Sequence, residues 1–355
     1  MNKINVALIF GGKSGEHDVS LSSVSSIYKH IDKDKYNVLT IGITKEGNWL
    51  YYSGSEENIK NGTWDKLANK NVEVNLLKNG NREVGVKFED GTVKNIDVIF
   101  PVLHGPFGED GTIQGLFELS EIPYVGCRVL ASSVGMDKLI CKKVFTQMGL
   151  SQVNYTHTTK WEFENNKEIE LNNIEKELNY PIFVKPANLG SSVGISKVRN
   201  KEELENGIIE ALKYDSRIVL EQGINAREIE VAVLGNNEVK ASIAGEIKPA
   251  DDFYSYEDKY IDGESSYDIP AKIDEETMTY IRENAIKAFK SIDGYGLSRV
   301  DFFLDKEDGK VYINEINTLP GFTNISMYPK MWEASGLGYT QLIDELINLA
   351  FDAKK

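Results

Sequence analysis

Apolar residues run almost unbroken from Ile4 to Phe10 and give way to Gly11-Gly12, the pattern of a buried strand that ends in a tight turn. Val19, Leu21, Val24 and Ile27 then recur at helical spacing, and the runs at 38–43 and 97–103 predict two further strands. Strands alternating with helices predict an open, mostly parallel α/β layer over the first third of the chain. Residues 45–95 are weakly patterned and read as short antiparallel strands. A second unit starts near Cys127. Residues 136–148 read as a helix with Leu139, Val144 and Phe145 on its apolar face. Strand-like runs at 182–184 and 195–198 flank a glycine-rich loop, 202–212 is amphipathic, and 218–221 reads as a strand. The charged stretch 160–179 reads as surface. Strands near 228–234 and 241–247, a long polar stretch at 249–270, a helix over 274–292 and a closing helix around 342–350 complete the pattern.

The stretch 299–321, RVDFFLDKEDGKVYINEINTLPG, organises the rest. Two runs rich in Val, Ile, Phe and Tyr flank a polar turn at 305–310, which predicts a β-hairpin. Alternation puts Arg299 and Asp301 on one face of the first strand, and Glu315 and Asn317 on one face of the second. If Asp301 lies opposite Glu315, then Arg299 lies opposite Asn317. Two carboxylates and an amide oxygen are hard ligands of the kind magnesium takes alongside water and phosphate. An adjacent guanidinium suits a transferring phosphoryl group or an oxyanion. A solvated hairpin face is the plain alternative, and the stiff Leu319-Pro320-Gly321 turn favours the site.

Length adds that 355 residues exceed one ordinary domain, so two or three are expected. Forty basic and 55 acidic side chains leave a formal charge of −15, which disfavours sequence-independent binding to nucleic acid or to an anionic membrane. An anionic substrate therefore requires a local basic pocket. Cys127 and Cys141 show no metal spacing and are expected as reduced thiols in a cytoplasm. No apolar run predicts a membrane span, and 6–10 is too short for a secretory signal.

Several short motifs carry chemistry, each with an ordinary structural alternative. In Lys185-Pro186-Ala187-Asn188-Leu189-Gly190-Ser191-Ser192-Val193-Gly194, glycines and small hydroxyl residues let backbone N–H groups close on phosphate oxygens, or simply form a flexible turn. Lys138 is unremarkable by itself. Glu221 ends a strand with groups able to meet an adenine edge, and Glu228 could reach ribose hydroxyls. Gly12-Lys13-Ser14 mimics a P-loop, but the first glycine that motif needs would fall at Ala7, inside the strand. What remains at 11–17 is a strand-to-helix turn whose amides suit a carboxylate and whose Glu16 suits an ammonium; helix capping by Ser14 or Glu16 is the alternative. His104 follows a buried strand, where parallel sheets commonly place ligands. The tyrosines of Phe253-Tyr254-Ser255-Tyr256-Glu257-Asp258-Lys259-Tyr260 suit a lid that excludes water.

Taken in order, GGKSGEHDVS, HGPFGEDG, KPANLGSSVG, FYSYEDKY and NEINTLPGFT make the whole chain resemble the D-alanine–D-alanine ligase family of the ATP-grasp superfamily. The resemblance implies an α/β, in parts α+β, three-domain ATP-grasp fold. Its N-terminal substrate domain would span 1–126, its central domain 127–220 and its C-terminal catalytic domain 221–355, with a lid at 249–270 and ATP between the last two. By the same resemblance Lys138, Lys185, Glu221 and Glu228 would hold ATP, with Gly190, Ser191 and Ser192 closing over its phosphates and Lys259 reaching the γ-phosphate. Asp301, Glu315 and Asn317 would hold two magnesium ions, with manganese as a substitute. Glu16 would fix the ammonium of a first D-alanine near His104. Arg299 and the Gly321 amide would stabilise the tetrahedral intermediate, Ser326 would hold the second carboxylate, and Ser191 and Tyr260 would join Glu16 in orienting the subsites.

The implied reaction converts ATP and two D-alanines, through an acyl phosphate, to D-alanyl-D-alanine, ADP and phosphate for peptidoglycan precursor synthesis. Tyrosine at 260 accompanies amide-forming members, so D-lactate is not the expected second substrate, whereas D-serine stays open; Thr323-Asn324-Ile325-Ser326-Met327-Tyr328 resembles the D-alanine type. A cytoplasmic homodimer that binds neither nucleic acid nor membrane is expected. The alternatives are a D-alanine–D-serine ligase, an ATP-grasp ligase joining other acids and amines, and a non-catalytic ATP-binding regulator. Intact Arg299, Asp301, Glu315, Asn317 and Tyr260 count against the last.

Overall fold

The computed structural model describes residues 3–77, 84–190, 193–248 and 266–353. The chain begins with β1 (Ile4–Gly11), α1 (His17–His30), β2 (Tyr36–Ile43), β3 (Trp49–Tyr52), α2 (Glu56–Lys60) and α3 (Trp64–Leu67). There follow β4 (Glu73–Asn75), β5 (Gly85–Lys87), β6 (Val93–Asn95), β7 (Val98–Val102) and α4 (Thr112–Ser120). The first sheet has the order β3-β2-β1-β7. β1 runs parallel to both β2 and β7, as the apolar runs predict, while β3 is an antiparallel edge. β4, β5 and β6 form a small antiparallel sheet. The loops after β1 and β7 leave the same end of the parallel strands, and these loops carry Glu16 and His104.

Next come α5 (Val129–Met136), α6 (Lys138–Gln147), β8 (Tyr155–Thr159), α7 (Lys160–Glu177), β9 (Ile182–Pro186), β10 (Ser196–Val198), α8 (Lys201–Ala211) and β11 (Arg217–Gln222). Their strands form an antiparallel sheet in the order β10-β9-β11-β8. The helix expected over 136–148 is interrupted at Asp137, whose extended backbone separates α5 from α6 and whose carboxylate caps Ile140 N–H at 3.0 Å. The charged stretch 160–179, read as surface, is an 18-residue helix. A capping box between Thr159 and Glu162 starts it, and only Phe163, Leu171 and Ile174 are buried, too sparse a stripe to show through so polar a sequence.

The last elements are β12 (Ala226–Gly235), β13 (Lys240–Lys248), β14 (Ser266–Asp268), α9 (Glu275–Ser291), β15 (Gly296–Asp305), β16 (Val311–Asn317), α10 (Met327–Ala334) and α11 (Tyr339–Asp352). They build an antiparallel sheet in the order β14-β13-β12-β15-β16. Residues 249–265 of the expected lid lie outside the described residues, and 266–268 form an edge strand on β13 rather than loop. α10 was not evident from the pattern. Strict alternation along β15 buries Val300, Phe302 and Leu304 and leaves Arg299, Asp301 and Phe303 on the other face. The buried set packs with Ile229, Val231 and Val233 of β12, Ile313 and Ile316 of β16, and Ile281, Ala285, Ala288 and Phe289 of α9. Part of the opposite face is also covered: Ala232, Leu234 and Leu297 join a core with α10, α11, α1, β1 and β7.

Both cysteines are free and buried, with thiols pushed up to about 12 by burial. No described helix is long and apolar enough to cross a membrane. Phe289 is fully buried beneath the hairpin. Phe289→Ala should cost about 3–5 kcal/mol of stability in urea unfolding, with the loss seen as a lower midpoint at an unchanged slope.

Candidate active site

The hairpin forms in the expected register: Arg299 pairs with Asn317 and Asp301 with Glu315. β12 extends both rows, setting Glu230 opposite Asp301 and Ala232 opposite Arg299. Glu230, Asp301 and Glu315 therefore stand in line across three strands. Arg299 grips Asp301 with its fork, Nε to Oδ1 and a terminal nitrogen to Oδ2, both at 2.7 Å, and its Nε lies 3.2 Å from Glu230 Oε2. Burial opposes the guanidinium charge, but Asp301 and Glu230, with Glu315, outweigh it and hold the Arg299 pKa well above its ordinary value. Arg299 is thus a fixed cation. Glu228 stands two residues before Glu230 on the same strand, opposite Phe303.

Between Asp301 and Phe302 the ladder slips, because Phe302 pairs with Ile313 and leaves Asn314 as an extra residue. Such a bulge bends its strand and commonly re-aims side chains beside active sites. Asn317 Oδ1 accepts the Leu319 N–H at 3.1 Å, so the turn fixes the orientation of the amide.

Divalent ions fit this donor set in part. Glu230, Asp301 and Glu315 line up beside the Arg299 guanidinium, with Glu228 on the same strand face as Glu230, so the face is acidic, and a carboxylate engaged by an arginine fork keeps outer lone pairs. Among the described residues no three His, Cys, Asp or Glu side chains close into a metal cage. Asp301, Glu315 and Asn317 would therefore hold ions only together with water and substrate oxygens, as magnesium sites often do.

A second cluster lies where α6 meets β9 and β11. Glu221 of β11 is buried and receives Lys185 of β9, Nζ to Oε2 at 2.9 Å, while Lys142 of α6 lies 3.2 Å from Oε1. Burial alone would raise the Glu221 pKa, but the two ammonium groups hold it down to about 2. Lys138, one helical turn before Lys142, donates from Nζ to the Leu189 carbonyl, and its backbone N–H bonds Ala187 O at 2.8 Å. Asp137 receives Arg217 at 2.6 Å. The start of the glycine-rich loop is thereby tied to α6.

The third cluster joins the N-terminal loops to the turn after β16. His104 is buried between Glu109, 3.5 Å from its Nδ1, and Ser23 Oγ, 3.2 Å from its Nε2. Burial works against the imidazolium, but Glu109 and Glu16 push the His104 pKa up; burial, with Glu16 adding repulsion, pushes Glu109 up. Ser23 Oγ also accepts the Phe322 N–H at 3.4 Å. Glu16 starts α1 without a side-chain capping bond, while Ser14 Oγ accepts the Glu16 N–H at 3.3 Å just ahead of the helix and donates to the His104 carbonyl at 2.6 Å, so Ser14 serves both the turn into α1 and the neighbouring loop. Gly105 has φ +72°, and a Cβ there would lie 2.4 Å from Glu16 Oε2. A Cβ on Gly190 would come within 3.5 Å of the same atom, so the loop after β9 reaches Glu16. Ser326 Oγ accepts the Thr323 N–H at 2.9 Å and would lie 3.0 Å from a Cβ on Gly321.

Ser191, Ser192, Lys259 and Tyr260 lie outside the described residues. The other expected residues fall into these three clusters. The sequence reading missed Lys142, Glu109 and Glu230. Two signals were available: Glu228-Ile229-Glu230 puts two carboxylates on one strand face, and Lys138 and Lys142 lie one helical turn apart.

Family models described as D-ala D-ala ligase N-terminus and D-ala D-ala ligase C-terminus match residues 5–127 and 144–348. A D-alanine–D-alanine ligase of Acetivibrio thermocellus is 51% identical, covering 98% of this chain and 96% of its own. Among solved structures, the VanG D-Ala:D-Ser ligase from Enterococcus faecalis superposes with a TM-score of 0.86 at 38% identity, covering 98% of this chain and 100% of its own. The D-alanine–D-alanine ligase from Coxiella burnetii superposes with a TM-score of 0.86 at 35% identity, covering 100% of this chain and 95% of its own. Two antiparallel sheets that share helix α6, one with a basic cluster and the other with an acidic row, are those of an ATP-grasp protein. The chain belongs to the D-alanine–D-alanine ligase family.

Because the Glu221 pKa is depressed on folding, its ion pairs contribute fully above about pH 4.5 and are lost as pH falls toward about 2. Glu221→Gln should cost about 3–5 kcal/mol near neutrality, since it leaves buried ammonium charge unpaired. In urea unfolding, the gap between variant and wild type should narrow through that acid window.

Proposed function

We propose that the chain joins two D-alanines into D-alanyl-D-alanine with ATP as the energy source, releasing ADP and phosphate. The observation that carries this reading is the hairpin register that sets Asp301 opposite Glu315 and Arg299 opposite Asn317 on one face, with Arg299 forked onto Asp301, in a chain matched to a family member over 98% of its length. A carboxylate is inert to amines, so it must first take the γ-phosphoryl group as an acyl phosphate, in a step where the protein mainly positions reactants and neutralises charge.

The residue roles follow the three clusters. Lys138, Lys185, Glu221 and Glu228 bind ATP, with the loop through Gly190, Ser191 and Ser192 over its phosphates. Asp301, Glu315 and Asn317 would hold magnesium, two ions for which manganese can substitute, and such ions would supply charge neutralisation at the phosphates. Glu16 takes the ammonium of the first D-alanine, with His104 beside it. Arg299 and the Gly321 amide face the oxyanion formed when the second amine attacks, and Ser326 takes the second carboxylate. Ser191 and Tyr260 would join Glu16 in orienting the subsites, Lys259 would reach the γ-phosphate, and the 249–270 lid would keep water from the acyl phosphate. The units 1–126, 127–220 and 221–355 divide these tasks in a cytoplasmic homodimer that supplies peptidoglycan precursors.

D-Serine as second substrate stays in view because the VanG D-Ala:D-Ser ligase is 38% identical over 98% of the chain. Mass analysis of products from ATP, magnesium and D-alanine, with D-serine and D-lactate as competitors, decides the matter. D-Alanyl-D-alanine is expected to dominate, and mainly D-alanyl-D-serine or D-alanyl-D-lactate would overturn the assignment. Arg299→Ala should lower kcat by about 100- to 1,000-fold with a much smaller change in ATP affinity; comparable losses would argue against its role at the oxyanion. Gly105→Ala should displace Glu16 and raise KM for D-alanine by about 10- to 100-fold, with ATP binding measured alongside as the control.

A further inference from the structure

Glu221 meets two ammonium groups where one would neutralise it. Lys142 and Lys185 approach its opposite oxygens, at 3.2 and 2.9 Å, so two positive charges and one negative leave a formal excess of one positive charge. Among the described residues no second carboxylate forms an ion pair with either lysine. Excess charge at a buried site is costly unless a counter-ion completes it. The two lysines differ in access, with the Lys142 side chain 3% exposed and that of Lys185 11% exposed. Lys142 is also poorly aligned for a hydrogen bond to Glu221 and lies 5.3 Å from the centre of the Tyr155 ring. Its contact with Glu221 is therefore chiefly one of charge.

We infer that Lys142 is a positioning residue of the nucleotide site: by neutralising Glu221 from the enclosed side, it leaves the charge of Lys185 available to a phosphate group. The inference rests on the proposed placement of ATP at Lys185 and Glu221. Without Lys142, Glu221 and Lys185 form a closed neutral pair, and a phosphate must compete with the carboxylate for the lysine. The effect should therefore depend on both the carboxylate and the phosphates.

The test is a double-mutant cycle on the full chain, with Lys142→Met, Glu221→Gln and the double variant, each titrated with ATP and with adenosine. In the wild-type background Lys142→Met should weaken ATP binding by about 10- to 100-fold, leave adenosine binding and the KM for D-alanine within about twofold, and be rescued in large part by Lys142→Arg. In the Glu221→Gln background the same substitution should change ATP binding little. Equal losses of ATP affinity in both backgrounds, equal losses for adenosine and ATP, or no loss in either background would overturn the inference. Should Lys142→Met not fold, Lys142→Arg/Glu221→Gln and the uncharged double variant still test the coupling: without coupling to Glu221, the two would differ in ATP affinity as widely as a structural lysine requires. Lys185→Ala is the separate control, because unchanged ATP affinity there would refute the placement of the nucleotide rather than the role of Lys142.

Discussion

Helix α6 is shared by two sheets, and most of the site's geometry depends on that sharing. Its Cys141 and Phe145 are buried in the core beneath the five-stranded sheet, among Ile313, Ile316 and Phe289. Leu139 packs instead with Ala187 and Val219 of the four-stranded sheet, and Lys138 and Lys142 reach the loop after β9 and Glu221 on that side. Burying apolar side chains on both sides of one helix stabilises by roughly 1.5–3 kcal/mol per large residue, and it fixes the spacing of the sheets. A basic cluster and an acidic hairpin are then held across one strut rather than by a flexible linker.

Electrostatics and packing divide the hairpin cleanly. Alternate residues of β15 fill a hydrocarbon core, which locks the strand, and the intervening residues carry charge that the core side could not tolerate. Arg299 satisfies Asp301 and part of Glu230, which limits the repulsion within the carboxylate row but does not cancel it. Under the proposed function the acidic row meets cations, and Lys185 meets an anion. Nucleotide with divalent ions presents both signs at once. The N-terminal unit is tied to this arrangement by Ser23, which bonds both His104 and the backbone of Phe322.

The architecture was largely legible in the sequence where period and polarity agreed. Continuous apolar runs gave the parallel strands, and alternation around the 305–310 turn gave the hairpin register down to the residue. α7 was lost because three buried side chains in an 18-residue charged stretch provide little periodic signal. For the site, the residues that share a strand with a recognised motif were easier to find than those brought in by tertiary packing. Lys142 looks like any surface lysine until β11 places a buried carboxylate against it. Glu109 was quoted in a motif, yet its partnership with His104 depends on a loop folding back on itself. Glu230 belongs to a row that exists only once β12 pairs with β15.

The extra residue in β16 has a geometric meaning of its own. Pairing on either side of Asn314 would remain satisfied if that residue were absent, because Ile313 and Glu315 face neighbouring positions, Phe302 and Asp301. The insertion therefore does not set which residues meet. Such an insertion adds local coiling to a ribbon, here between Ile313 and Glu315. What Asn314 contributes is a tilt, and the ribbon can acquire a new aim there while its hydrocarbon underside keeps the same neighbours.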